Sequence, residues 1–319
     1  MNTSNQPSAN SAAGRNCIRN VTRNTVLFTL LAMLVLPLVA SAKIRVGASL
    51  TDLASIASSV GGDQVEVFSI ARATSDPHRV EVLPSYMVQV ARANLYLKSG
   101  LGLDQWADGI IDGSRNSKLA VLDCSKDIKP LEKPAQVNAS MGDVHPFGNP
   151  HYWLDPRNGA IVARGISEQL SRIDPAHADA YAARAAAFEK QVAEAYERDQ
   201  KIVAGMPVKA IFTYHSSWVY FADAFGFTVA ATAEPVPGIP PTAKHLASLV
   251  GIAKQRKIPL LLQEPYFSDD AGKFLARETG TRIVKAAPSC QSVTAGSYLA
   301  HFETVLYQIA GTPPASGVR

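Results

Sequence analysis

Cysteine is almost missing from this chain. Three occur in 319 residues, Cys17, Cys124 and Cys290. No two form a Cys-x-x-Cys pair, which argues against a thiolate zinc site. Charge is also sparse, at 18% of residues against 47% hydrophobic. That balance excludes wholesale disorder and a chain-long coiled coil. There is no His-Glu-x-x-His and no Gly-x-Ser-x-Gly turn, so common marks of zinc peptidases and serine hydrolases are lacking. Histidine is scarce as well, with seven in the whole chain.

The first segment reads as an export signal. Arg15, Arg19 and Arg23 form a basic region, and Val26–Val39 is an apolar stretch broken by Pro37 and short for a membrane span. Ala40-Ser41-Ala42 is a small-residue cleavage site, so the mature chain is expected to begin at Lys43. No cysteine follows the apolar stretch to take a lipid. A soluble, periplasmic, monomeric protein is expected. Three of the 31 basic residues leave with the signal, and the remainder nearly balance the 27 acidic ones. The net charge of +4 therefore gives no support to nucleic-acid binding. Cys124 and Cys290, each after an expected strand in a different half, are read as one bridge or as two buried thiols.

Short apolar runs alternate with amphipathic stretches. Strands are expected at Lys43–Ala48, Val65–Ile70, Asn94–Lys98 and Leu119–Leu122, with helices near Leu53–Val60, Pro84–Ala93 and Leu103–Ile111. This rhythm predicts an α/β fold with a parallel sheet. Asp155-Pro156 and Asp174-Pro175 each open a helix by a cap followed by proline. From Ala176 to about Val203 the chain is rich in strong helix formers and has neither Gly nor Pro. After it the rhythm resumes, with strands at Val208–Thr213, Thr228–Ala233, Ile258–Gln263 and Thr281–Lys285 and helices between and after them. The expected division is a signal (1–42), an N-terminal lobe (43–174), a rigid linker helix (175–205) and a C-terminal lobe (206–319) of similar build.

Histidines fall where ligands bind in such folds. His215 directly follows an apolar strand, and Glu264 follows another; ligands of open parallel sheets bind beyond the carboxyl ends of strands. His78, in Ser75-Asp76-Pro77-His78, and His151, in Asn149-Pro150-His151-Tyr152-Trp153, stand on loops of the first half, each behind a stiffening proline. Three imidazoles and one carboxylate suit tetrahedral zinc, with bonds of about 2.0–2.2 Å. An oxygen-rich set would suit manganese. His145 is read as an outer or transient ligand. His177, His245 and His301, on expected helices, are read as surface or packing residues. Trp153 and Trp218 are read as core aromatics or walls of the site.

Several stretches resemble the metal-binding receptors of ABC importers, the ZnuA- or TroA-like family. Asp76-Pro77-His78 with Leu83-Pro84-Ser85 is similar to the family's first ligand motif, and Asn149-Pro150-His151-Tyr152-Trp153-Leu154-Asp155-Pro156 to its second. Tyr214-His215 with Tyr220-Phe221 and Phe225-Gly226 is similar to the third, and Glu234 to Pro241 fits a loop of some members. The resemblance spans nearly the whole mature chain. It implies two α/β lobes joined by one long helix, a metal between them, and an importer permease and its ATPase as partners. It also implies that His215 favours zinc, since manganese receptors tend to place a carboxylate there. Two departures stand out. The late strand-end motif that commonly supplies an aspartate reads Val284-Lys285-Ala286-Ala287-Pro288-Ser289, with no acid. Glu264 is expected to supply the carboxylate instead, or water to complete a three-histidine site. The stretch 131–150 has His145 as its single histidine, unlike the histidine-rich loop of many zinc receptors.

The expected function is thus capture of Zn(II) for an ABC importer, without catalysis. Manganese or iron(II) is the alternative cargo. A zinc hydrolase using Glu264 as base is the alternative of another class, and a surface adhesin a third.

Overall fold

The computed structural model describes residues 1–4, 42–136 and 141–311. The expected signal's arginines and apolar stretch lie outside the described residues. Among these residues no helix is long and apolar enough to cross a membrane. Met1–Ala42 separates as its own unit, and everything below concerns the compact unit that begins at Lys43.

Two four-stranded parallel sheets organise it. The first holds β1 (Ile44–Ala48), β2 (Val65–Ser69), β3 (Leu95–Lys98) and β4 (Ala120–Asp123) in the order β2-β1-β3-β4. The second holds β5 (Ala210–Thr213), β6 (Thr228–Thr232), β7 (Leu260–Gln263) and β8 (Arg282–Lys285) in the matching order β6-β5-β7-β8. The inner strands are covered on both faces, which is why β7 is four consecutive buried residues, whereas edge strand β4 alternates half-buried and exposed. In the first sheet α1 (Thr51–Gly61), α2 (Pro84–Val90) and α3 (Trp106–Ser114) make the crossovers. In the second these are α6 (Val219–Phe225), α7 (Ala243–Arg256) and α8 (Asp270–Thr279).

Between the sheets run α4 (Pro156–Ile173) and α5 (Ala178–Ala204). Asp155 caps α4 by accepting the Arg157 N–H, with Pro156 at the first turn. The 27 residues of α5 make a rod of about 40 Å at 1.5 Å per residue. It is not a free strut: Tyr181, Ala185, Phe188, Val192, Ala195, Asp199 and Val203 form a buried stripe at helical spacing. One continuous apolar core takes in Val46 and Leu95 beside the first sheet, Phe188 of α5, and Ile211 and Leu260 of the second sheet.

The last helix, α9 (Ser297–Ala310), packs on α5 and reaches across to α1 while keeping its contact with β8. Tyr298 N–H donates to Ser55 Oγ at 3.0 Å, and Tyr298 Oη donates to the Trp153 carbonyl at 2.8 Å. The segment before it is sewn to α1 as well. Thr51, Ser55 and Ser58 donate to the carbonyls of Cys290, Thr294 and Val293, while the Cys290 N–H donates to Asp52 at 3.1 Å. It directly follows Val284–Ser289, the stretch that lacks the expected aspartate.

Expected and observed elements differ mainly at their ends. The helix expected from Leu103 starts at Trp106, because Asp104 turns inward to accept the Ser99 and Gly100 N–H groups. The one expected from Pro241 starts at Ala243, where Thr242 caps it behind an extended Pro-Pro pair. Cys124 and Cys290 are buried free thiols, so the bridge does not form.

Two expectations follow. A Cβ at Gly159 on α4 would stand 2.4 Å from the Tyr298 ring, which its bond to Trp153 holds in place. Gly159→Ala should therefore destabilise the chain by about 1–3 kcal/mol, although helix propensity alone would favour alanine by about 1 kcal/mol. Urea denaturation gives the sign. The second concerns His301, buried in α9, whose pKa burial lowers from 6.5 to about 4. Its neutral form supports the fold fully above pH 6.5, and that support is lost as pH falls to about 4, a span of about 3 kcal/mol. Metal-free His301→Leu should lose less stability than the parent between pH 7 and 4.5, and equal losses would refute the assignment.

Candidate metal centre

All the candidate residues sit on loops at one end of the two sheets. β2 ends at Ser69 and leads to the loop of His78. There Asp76 accepts the His78 N–H at 2.9 Å, and Trp106 Nε1 donates to the Pro77 carbonyl at 2.9 Å. His151 opens the turn that runs into α4. Asn149 Oδ1 accepts from both its backbone N–H (3.1 Å) and its ring Nδ1 (2.9 Å). The same amide donates to the Ser216 carbonyl at 2.8 Å, so one side chain ties the His151 loop to the chain beside His215.

His215 and Glu264 follow β5 and β7, the paired inner strands where the second sheet's order reverses. His215 Nδ1 lies 2.6 Å from Glu234 Oε2, an oxygen that also accepts the Gly238 N–H at 3.0 Å. With Nδ1 of His151 and His215 held by oxygen acceptors, Nε2 of each is the ring position left to bind an ion.

The three rings converge. His78 Nε2 and His151 Nε2 are 3.1 Å apart, and one ring nitrogen from each of His78, His151 and His215 lies within 4.8 Å of the others. Donors of a tetrahedral zinc site with bonds of about 2.0–2.1 Å stand roughly 3.3 Å apart. His151 and His215 are buried and His78 is half-buried. Glu264 lies outside that mutual cluster, but its charge acts on His215. It is fully buried, and among the described residues neither carboxylate oxygen has a hydrogen-bond partner. Burial raises its pKa to about 7 against the opposing influence of His215. A buried carboxylate without donors calls for a proton or a cation.

The electrostatics suit a cation. Burial, reinforced by neighbouring imidazoles, pushes His78 and His151 well below the usual histidine range, so both stay neutral. Burial acts the same way on His215, but the Glu234 hydrogen bond and the Glu264 charge outweigh it and raise its pKa. Beside the rings lies a cavity of about 330 Å³ lined by Asp76, His78, His215, Glu234, Tyr266 and Phe267, among others.

The remaining histidines divide. His145 lies against His78, ring centroids 5.1 Å apart. His177 pairs with Asp174, His245 bonds the Thr232 carbonyl and His301 packs inside α9. Trp153 is both core and wall: it is buried, 5.2 Å from the His151 ring, and donates to the Pro288 carbonyl. Trp218 packs on Phe221 at 5.6 Å. Sequence reasoning passed over Glu234 and Asn149 as orienting groups. Glu234 carried a readable signal, since it follows β6 as His215 follows β5. Asn149 carried a weaker one, an amide two residues before a histidine.

A family model, zinc-uptake complex component A periplasmic (ZnuA), matches residues 46–312. The iron-binding protein YfeA of Yersinia pestis is 27% identical over 248 residues, 75% of this chain and 75% of its own. The manganese ABC transporter substrate-binding lipoprotein PsaA of Streptococcus pneumoniae is 25% identical, covering 76% of this chain and 79% of its own. A crystal structure of ZnuA superposes with a TM-score of 0.74 at 25% identity, over 85% of this chain and 99% of that one. The chain belongs to the ZnuA family, the substrate-binding proteins of metal ABC transporters.

Proposed function

We propose that this protein is an exported receptor that captures Zn(II) and hands it to the permease of an ABC importer driven by its ATPase. The observation that carries the reading is the meeting of three imidazole nitrogens; the buried Glu264, which has no hydrogen-bond partner among the described residues, adds to it. In this reading His78, His151 and His215 are ligands, and Glu264 supplies the fourth donor and neutralises half the ion's charge. Three nitrogen donors favour zinc over manganese, which prefers oxygen. The relatives named for iron and manganese make those ions the competitors to test.

The division into an N-terminal lobe (43–174), linker helix (175–205) and C-terminal lobe (206–319) belongs to the same proposal, as do the cleaved signal at 1–42, a periplasmic location and a monomeric state. The shared core and the α9 crossover support a receptor whose lobes shift little, so uptake would be gated by loops around the site.

His151→Ala should weaken zinc binding by more than the roughly 10–100-fold that loss of an outer partner costs; chelator competition measures it, and unchanged affinity rejects the site. Glu264→Gln should move two quantities in opposite directions. Metal-free stability should rise, because an unpartnered buried carboxylate is removed, while zinc affinity falls. A variant that keeps parental zinc affinity would assign the fourth position to water. Dialysis against equimolar zinc, manganese and iron(II) under anaerobic conditions, followed by elemental analysis, should return zinc. Manganese or iron in excess would reassign the cargo.

A further inference from the structure

We infer that Ser217 is a specificity-determining residue of the metal centre: its hydroxyl takes one oxygen of the Glu264 carboxylate and leaves the other for the ion. This rests on the reading of Glu264 as the fourth donor and adds to it the choice between zinc and manganese. A carboxylate offers an ion one oxygen or two. Beside three imidazoles, one oxygen makes the four-coordinate set that suits zinc. Two oxygens make a larger, more oxygen-rich set, which moves the site towards manganese. Whatever holds the second oxygen therefore sets the discrimination.

The fold brings Ser217 to that carboxylate. β5 and β7 are paired neighbours with Thr213 opposite Leu262, and the Tyr214 N–H donates to the Leu262 carbonyl at 2.9 Å. Continued by two residues, that register sets His215 beside Glu264 just beyond the strand ends. The chain then makes a single 3-10 turn, Ser216–Trp218, so Ser217 stays close to both. Its two neighbours are fixed. Asn149 donates to the Ser216 carbonyl at 2.8 Å, and Trp218 is fully buried against Phe221. Ser217 itself is wholly buried.

Polar groups meet there with their bonds still open. Among the described residues, Ser217 Oγ and both Glu264 oxygens are buried and unpartnered, a deficit of about 1–3 kcal/mol for each unmade bond. Ser217 nonetheless acts as a hydrogen-bonding neighbour on two groups. Burial raises the pKa of Glu264 and of Tyr266, and Ser217 works against that rise in each. The hydroxyl thus stands between a carboxylate and a phenol, with one proton to give. Burial keeps the phenol's own proton on Tyr266, whereas a carboxylate bound to an ion can only accept. Tyr266 therefore donates to Ser217, and Ser217 donates to Glu264. In this way Ser217 does for the carboxylate what Asn149 and Glu234 do for two of the rings.

Zinc and manganese affinities of the mature protein, each measured by competition with a chelating dye, give a ratio. Ser217→Ala should lower the zinc-to-manganese ratio by about tenfold, the low end of the roughly 10–100-fold that outer partners of a metal site are worth. Zinc affinity should fall while manganese affinity holds or rises. Ser217→Thr returns the hydroxyl and should return the ratio, and Tyr266→Phe should shift it in the same direction as Ser217→Ala but by less. Cobalt(II) bound in place of zinc reports coordination number through its visible absorption. The parent should show the intense bands of four-coordination and Ser217→Ala the weaker bands of five-coordination. A parental ratio in Ser217→Ala, or equal losses for both metals, overturns the assignment, because a packing defect weakens both ions alike. Four-coordinate cobalt bands in that variant overturn it too. Glu264→Gln separates this from the reading beneath it. If Glu264→Gln lowers zinc affinity while Ser217→Ala is silent, the Ser217 role alone fails. If Glu264→Gln leaves zinc affinity at the parental value, Glu264 is no ligand and the role of Ser217 falls with it.

Discussion

The structure turns on holding three histidine rings from distant loops within reach of one another, with the Glu264 carboxylate buried and without a hydrogen-bond partner among the described residues. A carboxylate buried unpaired costs roughly 1–3 kcal/mol, and in a free chain it and the rings would turn to solvent. Here they cannot turn. Asn149 holds the His151 ring, Glu234 holds the His215 ring, and Pro77 is pinned by Trp106 beneath His78. The fold therefore holds an electrostatically costly arrangement in place through its own hydrogen bonds.

The scaffold that bears this cost is unusually continuous. α5 is the connection between the halves, but it does not act alone. Its buried stripe, the shared core and the α9 crossover bind the sheets along one side of the molecule, opposite in role to the loops that carry the ligands. The stretch 288–297 shows the same commitment. Its residues Cys290, Val293 and Thr294 are bonded to α1 through Thr51, Asp52, Ser55 and Ser58.

Orientation of the rings is shared between unlike partners. His151 leans on a neutral amide and His215 on a carboxylate, and the two partners reach into the same region from opposite halves. Asn149 also bonds the Ser216 carbonyl, and Glu234 also accepts from Gly238. The geometry of the His151 ring is therefore coupled to the chain beside His215, and that of the His215 ring to the turn at Gly238. A change in either loop would reach the ring it holds without any movement of the sheets.

The sequence by itself determined the alternation of strands and helices, the long helix and the three histidines. Those signals are local: apolar runs, caps followed by proline, and a stretch of helix formers with no breaker. His215 and Glu264 were legible because the carboxyl ends of parallel strands are where such sheets bind ligands, and a strand end can be read from composition. What the tertiary structure decided was every relation between distant residues. The pairing of Glu234 with His215, the bridge from Asn149 to Ser216 and the crossing of α9 onto α1 all join segments that packing brings together. Local patterns specify which element forms; only the shared burial of those elements specifies which side chains face each other across the site.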